Sequence, residues 1–216
     1  MSKHCYIAGA GEFREKAMPE KGDYVIAADG GYEALTSRGV TPDLVVGDFD
    51  SLTPDLTEDV SNHPNVVRSP AEKDETDMML AVRQGLDRGY KIFVINGGLG
   101  GRLDQTVANI QILAYIAENG ARGILLGPES CVIAIKNGEI GFGSNSARGA
   151  TISIFSAGDK AEGVTLKGLK YPLENAIVTS NYPIGVSNEF TGEPVTITVQ
   201  TGILIIIWDG GLTDIC

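Results

Sequence analysis

Leu44-Val45-Val46-Gly47-Asp48-Phe49-Asp50-Ser51 sets an acidic pair directly after a short apolar run. The branched aliphatic residues read as a buried strand. Asp48 and Asp50 are two residues apart. If extended backbone continues through them, both side chains face one way, their origins roughly 6.5–7 Å apart. Carboxylates that close raise one another's pKa, and a bound divalent cation removes that cost. Mg²⁺ prefers oxygen ligands and keeps waters that a phosphate displaces. In open parallel sheets, ligands sit at the carboxyl ends of strands. An Asp-rich turn with a solvated acidic surface explains the same residues, so the surrounding chain has to decide.

Upstream, Tyr24–Ala28 reads as a strand running into Asp29-Gly30-Gly31, with a helix over Tyr32–Arg38 that Gly39 stops. Asp29 either caps that helix or delivers a carboxylate where a ligand approaches the backbone closely. Two successive strand ends then bring carboxylates to one edge of a parallel sheet, which favours the metal reading. The first strand, His4–Ala8, ends in Gly9-Ala10-Gly11-Glu12. That turn lets backbone amides approach a phosphate but is short of a full dinucleotide fingerprint, and a plain tight turn explains it as well.

Downstream, residues 53–70 are polar and proline-punctuated, a loop with at most one short helix and a short strand at Val66-Val67. Lys73-Asp74-Glu75-Thr76-Asp77 opens a helix to about Arg88, with Met78, Met79, Ala81, Val82 and Leu86 as its apolar stripe. Asp74 or Thr76 serves as N-cap. Asp77 falls in the first turn, where the helix dipole favours negative charge by ~0.3–1 kcal/mol. Lys73 opposes that dipole, which an anionic ligand would explain. A strand over Lys91–Ile95 enters Asn96-Gly97-Gly98-Leu99-Gly100-Gly101-Arg102-Leu103-Asp104, and a long helix follows to Asn119-Gly120. Glycine-rich backbone, an arginine and a helix start form a phosphate-binding arrangement without the GK[ST] of a P-loop. A strand over Gly123–Leu126 closes this half. Strand–helix alternation predicts an α/β domain with a doubly wound, mostly parallel sheet over residues 1–128.

After Gly127-Pro128 helical periodicity stops. Short β-like runs follow at Cys131–Lys136, Thr151–Phe155, Gly163–Leu166, Ala176–Thr179, Pro194–Gln200 and Gly202–Trp208. They predict a smaller antiparallel β-sandwich or barrel-like domain over 129–216, with Trp208 in its core.

The net charge of −11 makes the chain a poor partner for nucleic acid or anionic membranes. Three scattered cysteines, Cys5, Cys131 and Cys216, fit a reduced, cytoplasmic compartment. No signal peptide is read at the N-terminus, and no apolar run is long enough to span a membrane.

With these motifs in line, the chain resembles the thiamine pyrophosphokinase family. The resemblance rests on Asp29-Gly30-Gly31, Pro42-Asp43 with Gly47–Ser51, Lys73–Asp77, Gly100-Gly101-Arg102-Leu103-Asp104-Gln105, Gly168-Leu169-Lys170-Tyr171-Pro172-Leu173 and Ser187-Asn188-Glu189-Phe190. These span nearly the whole chain in family order; Gln105 stands where bacterial relatives usually carry His. The resemblance implies an α/β catalytic domain followed by a β domain, in a homodimer with active sites shared between subunits. It implies that the thiamine hydroxyl attacks the β-phosphorus of ATP, releasing AMP and forming thiamine diphosphate. Mg²⁺ is then held by Asp48 and Asp50, with Asp29 and Asp77 completing or supporting the set. Lys73 and Arg102 lie on the phosphates, and Asp74 or Asp77 accepts the hydroxyl proton. Asp29, Gly30, Thr76, Gly100, Arg102 and Asp104 are assigned to ATP, with Asp104 orienting Arg102 or touching the nucleotide. Ser187 and Asn188 hold the aminopyrimidine, and Tyr171 is a stacking candidate for an aromatic cation.

Two other readings compete. A different Mg²⁺-dependent phosphotransferase or nucleotidyltransferase would share the acidic cluster but release another product. A non-enzymatic nucleotide sensor would keep the phosphate loops yet have little use for converging lysine, arginine and carboxylates, a constellation more often catalytic.

Overall fold

The structure is a computed structural model, and it describes residues 4–49, 53–68, 75–144 and 147–215. The chain divides into two compact units, residues 1–109 with 125–128 and residues 110–124 with 129–216. The architecture is α/β.

The first unit is built on strands β1 (Cys5–Ala8), β2 (Tyr24–Ala28), β3 (Leu44–Gly47), β4 (Val66–Arg68) and β5 (Ile92–Asn96). They run parallel in the order β5-β1-β2-β3-β4. The chain steps from β1 outward to β4, then returns to the other side of β1 as β5. That reversal makes the carboxyl ends of β1 and β5 a topological switch point, where open α/β sheets receive their ligands. Every residue of β1 and β3 is buried, as expected of strands covered on both faces. Asp43 ties the starts of β2 and β3 together: its Oδ2 accepts from the Val25 amide at 2.8 Å, and its own amide donates to the Val25 carbonyl at 2.8 Å. The Pro42-Asp43 pair thereby has a structural reason.

Helices α1 (Gly31–Thr36), α2 (Pro54–Asn62), α3 (Asp77–Asp87) and α4 (Leu103–Glu118) connect the strands. Gly31 lets α1 start against β1, since a Cβ there would stand 2.0 Å from the Ala8 carbonyl oxygen. Thr76 caps α3, its Oγ1 accepting from the Met79 amide at 3.1 Å. Residues 53–70, expected as loop with at most a short helix, hold the nine-residue α2, which opens on Pro54. Proline suits a helix start because its missing N–H is not needed there.

The second unit includes most of α4 and the start of β6 (Arg122–Leu126), followed by β7 (Ser130–Phe142), β8 (Thr151–Ser156), β9 (Lys160–Lys167), β10 (Leu173–Thr179), β11 (Gly185–Glu189) and β12 (Val195–Asp209). The pairings among β7–β12 are antiparallel. β12 pairs with β7 from Val195↔Phe142 to Asp209↔Ser130. Along its other edge the first half takes β9 and the second half β8. The two runs expected as separate strands, 194–200 and 202–208, are therefore one strand with a register shift between Val199 and Ile203. The Gly202 amide, donating to Asn137 Oδ1 at 2.9 Å, pins the shift. Trp208 is buried against Phe142, which also meets Phe190 edge-on, with centroids 5.2 and 5.5 Å apart.

Candidate active site

A cleft of about 390 Å³ opens in the first unit at the carboxyl ends of β1, β2 and β5. Its walls are the Gly9–Gly11 turn, Ala28 and Asp29, the start of α3, the glycine loop after β5, and Gln105 and Asn109 of α4. Thr76-Asp77 and Arg102 put the N-termini of α3 and α4 on the rim. The partial positive charge of two helix starts, with one arginine, favours an anionic ligand.

The loops after β1 and β5 are zipped together. The amides of Gly9, Gly11 and Glu12 donate to the carbonyls of Asn96, Gly97 and Leu99 at 2.8, 2.7 and 2.9 Å. A Cβ on Gly9 would lie 2.5 Å from the Gly97 oxygen, and one on Gly11 2.4 Å from the Leu99 oxygen. The glycines after β1 thus serve loop-to-loop approach, and those three amides point at the neighbouring loop, which fits the tight-turn reading of this segment. Buried Asn96 closes the arrangement. Its Nδ2 donates to the Tyr6 hydroxyl and to the Arg14 and Ala17 carbonyls, while its Oδ1 accepts from the Arg14 and Gly97 amides. Burial pushes the Tyr6 hydroxyl up to about 12 despite that hydrogen bond, so it remains a neutral donor to Ala17.

Asp29 lines the cleft with a left-handed backbone, φ 48°. A non-glycine residue held there costs of order 1 kcal/mol and often marks function. Its amide donates to the Val46 carbonyl at 2.8 Å, binding the ends of β2 and β3. The N-cap position of α1 is Gly30, one residue after Asp29, and it makes no side-chain cap. Gly30 packs where a Cβ would meet that of Ala10 at 2.9 Å.

Asp48 follows β3 directly and is half-buried, but it is not among the cleft-lining residues. The strand stops at Gly47, and Phe49 adopts φ 64° with its ring buried under the Arg68 guanidinium. The extended run expected to align Asp48 with Asp50 therefore breaks between them. Asp50, Ser51, Lys73 and Asp74 lie outside the described residues. Thr76 and Asp77 line the cleft, Thr76 as the cap and Asp77 in the first turn as expected. Among the described residues, no three histidine, cysteine or carboxylate side chains converge on a metal position.

Arg102 lines the cleft beside Gly100 and Gly101. Its Nη2 and Nε donate to the two carboxylate oxygens of Asp104 at 2.6 and 3.2 Å. The hydrogen-bonded partner holds Asp104 below the usual carboxylate range and raises the guanidinium. Gly100, at φ 82°, leaves its side-chain space to Glu12. Gln105 and Asn109 are one helical turn apart on α4 and face the same cleft. Asn109 is 5% exposed; its Nδ2 donates to the Gly98 carbonyl at 2.7 Å, and its Oδ1 has no hydrogen-bond partner among the described residues. Sequence reasoning did not single out Asn96 or Asn109. For Asn96 the usable signal was a polar residue ending an apolar strand, as Asp29 does.

In the second unit, Tyr171 is exposed, Ser187 sits at φ 58° with its amide on Ser153 Oγ at 3.0 Å, and Asn188 is buried. The Asn188 side chain is committed to backbone: Oδ1 accepts from the Tyr171 and Glu189 amides, and Nδ2 donates to the Tyr171 carbonyl.

Fold and cleft together define an α/β protein whose cleft at parallel strand ends favours an anionic ligand. The family model described as thiamin pyrophosphokinase, catalytic domain, matches residues 16–125, and the one described as thiamin pyrophosphokinase, vitamin B1 binding domain, matches residues 138–204. Thiamine pyrophosphokinase of Bacillus subtilis is 31% identical over 183 residues, covering 84% of this chain and 85% of its own. A crystal structure of thiamine pyrophosphokinase from Bacillus subtilis matches the fold with a TM-score of 0.83 at 28% identity, over 97% of this chain and 100% of that one. A shorter stretch of 57 residues, 24% of each chain, is 47% identical to 6-hydroxymethyl-7,8-dihydropterin pyrophosphokinase of Pyrococcus furiosus. The chain belongs to the thiamin pyrophosphokinase family.

Proposed function

We propose that this chain transfers the pyrophosphoryl group of ATP to the hydroxyl of thiamine, giving thiamine diphosphate and AMP. The observation that carries the reading is the cleft lined by Asp29, Asp77 and Arg102, in a chain matched by both the catalytic and the vitamin B1 binding models of one family.

Transfer between oxygens of a polyphosphate needs alignment and charge neutralisation more than covalent chemistry. Arg102 grips phosphate oxygens with a planar fork that Asp104 orients; Lys73 adds a second cation. Gly30, Thr76 and Gly100 let the nucleotide approach the backbone, and Asp74 or Asp77 accepts the proton leaving the thiamine hydroxyl. Asp29 and Asp77 supply hard oxygen donors to one cleft. Mg²⁺ asks for only one or two carboxylates beside phosphates and water, so the residues present fit it. Asp48 and Asp50 complete that set. An ion held by these carboxylates would supply neutralisation of charge on the phosphate oxygens. Ser187, Asn188 and Tyr171 belong to the thiamine side.

The same reading makes residues 1–128 a doubly wound catalytic domain and residues 129–216 a sandwich- or barrel-like domain for thiamine binding and dimerisation. The working form is a cytoplasmic homodimer with sites shared between subunits, testable by light scattering. Among the described residues no helix is long and apolar enough to cross a membrane.

The match to a pterin pyrophosphokinase favours a second reading, the same transfer to a hydroxymethylpterin. Initial rates of AMP release with ATP and Mg²⁺ decide between them. Release that depends on thiamine supports the proposal. Release that depends only on 6-hydroxymethyl-7,8-dihydropterin replaces it, and release with neither acceptor contradicts both.

A further inference from the structure

Two segments quoted above as separate motifs, 168–173 and 187–190, form one latch. Leu169 and Phe190 make an antiparallel bridge, and the Lys170 amide donates to the Glu189 carbonyl at 3.1 Å. Thr191 Oγ1 donates to the Gly168 carbonyl at 2.8 Å. The centre of the latch is Asn188, only 4% exposed. Its Oδ1 accepts from the Tyr171 amide at 2.9 Å, and its Nδ2 donates to the Tyr171 carbonyl at 2.7 Å. One carboxamide thus grips both polar groups of one residue's backbone. The residue so gripped, Tyr171, is 57% exposed.

That combination needs a cause. The same Oδ1 also accepts from the Glu189 amide at 2.9 Å, so Asn188 ties the Tyr171 backbone to β11, and a ring that must meet a ligand in one orientation gains affinity from a backbone held in this way. The ring face also favours cations: the Lys170 ammonium stands 5.3 Å from its centroid. Lys170 is paired with Glu189 Oε1 at 2.7 Å, so it can withdraw to that carboxylate when another cation takes the ring.

We propose that Asn188 is a positioning residue that holds Tyr171 as a fixed stacking face for an aromatic cation, and that it does not itself hold the ligand. This rests on the proposed function, in which thiamine is that cation, and reassigns Asn188 within it. Cation–π contacts of this kind contribute ~0.5–2 kcal/mol, which corresponds to roughly 2- to 30-fold in affinity.

The test uses the full-length protein and four forms of it: wild type, Tyr171→Ala, Asn188→Ala and the double variant. Thiamine binding is measured by calorimetry, and KM is measured for thiamine and for ATP. The expected result is a thiamine KM raised severalfold to about 30-fold in each single variant, an unchanged ATP KM, and a double variant no worse than the weaker single. Losses that multiply in the double variant overturn the proposal, as does a harmless Tyr171→Ala beside a damaging Asn188→Ala. A lowered melting temperature in Asn188→Ala with normal thiamine KM assigns the latch to stability alone and also overturns it. If Asn188→Ala does not fold, Tyr171→Ala decides by itself: a normal thiamine KM there is contradiction enough. A wild type that fails to bind thiamine overturns the proposed function and this inference together, whereas binding indifferent to both variants overturns only the inference.

Discussion

Arg102 and Asp104 meet twice across two residues of chain, Nη2 to Oδ2 at 2.6 Å and Nε to Oδ1 at 3.2 Å, on the rim of the cleft. The pair fixes the plane of the guanidinium before any ligand arrives. Lysine at 102 would keep the charge and lose the fork. Arg102→Lys is expected to lower kcat/KM for ATP by about 10- to 100-fold, the scale of one or two charge-assisted hydrogen bonds. Its melting temperature should match wild type, because the side chain is largely exposed. Steady-state rates against ATP, with a thermal melt, check both parts.

The same pair has a defined pH dependence. Asp104 is held below the usual carboxylate range by its hydrogen bond to Arg102. A depressed folded pKa means the contribution is complete above the ordinary carboxylate value and disappears only as pH falls through the lower one. The fork should therefore persist throughout the neutral and mildly acidic range. Carboxylate carbon shifts of Asp104 followed by NMR should show no titration between pH 5 and 8.

Asn109 holds the glycine loop through the Gly98 carbonyl at 2.7 Å. Asn109→Ala leaves that carbonyl unpaired, at a cost of about 1–3 kcal/mol. Both a lower melting temperature and a higher KM for ATP are expected. A loss of stability with normal ATP kinetics would show that the loop keeps its shape without this bond.

Gly31→Ala should be among the most damaging single changes, because the new Cβ meets the Ala8 carbonyl at 2.0 Å. Overpacking of this kind typically costs about 1–3 kcal/mol, and a clash with backbone belongs at or above the upper end. Gly120→Ala is the control: it has open space and φ 66°, so only conformational strain of about 1 kcal/mol is expected. Thermal unfolding of the two variants should separate them clearly.

Burial pushes the Cys5 thiol up to about 12. A raised folded pKa gives stability that is complete below the ordinary thiol value and is lost as pH climbs toward about 12. At pH 8 Cys5 should resist alkylation in the folded protein and react once unfolded, as peptide mass spectrometry can show.

Much of the first unit was legible because its signals are local. β2 occupies Tyr24–Ala28 as its apolar run indicates, and Thr76 and Asp77 stand where capping and dipole arguments put them. The glycine loop before α4 was legible as a distinctive segment for the same reason, and it lines the cleft. What the sequence hid depends on distant partners. Asn96 bonds Arg14 across 82 residues, and the polar end of an apolar strand, which marks Asn96, does not name that partner. β11, Gly185-Val186-Ser187-Asn188-Glu189, shows no clean apolar alternation and contains the left-handed Ser187, so its pattern does not read as a strand. Its reason to be a strand is the pairing with β8. The same limit explains Asp48 and Asp50: alternation holds only while the backbone stays extended, and Phe49 turns it.

The central claim is transfer of an intact pyrophosphoryl group. ATP labelled at the β-phosphorus, incubated with the protein, Mg²⁺ and thiamine, tests it most directly. The account predicts label in thiamine diphosphate and unlabelled AMP in equal amount. Label retained in ADP, with thiamine monophosphate as the other product, would contradict it.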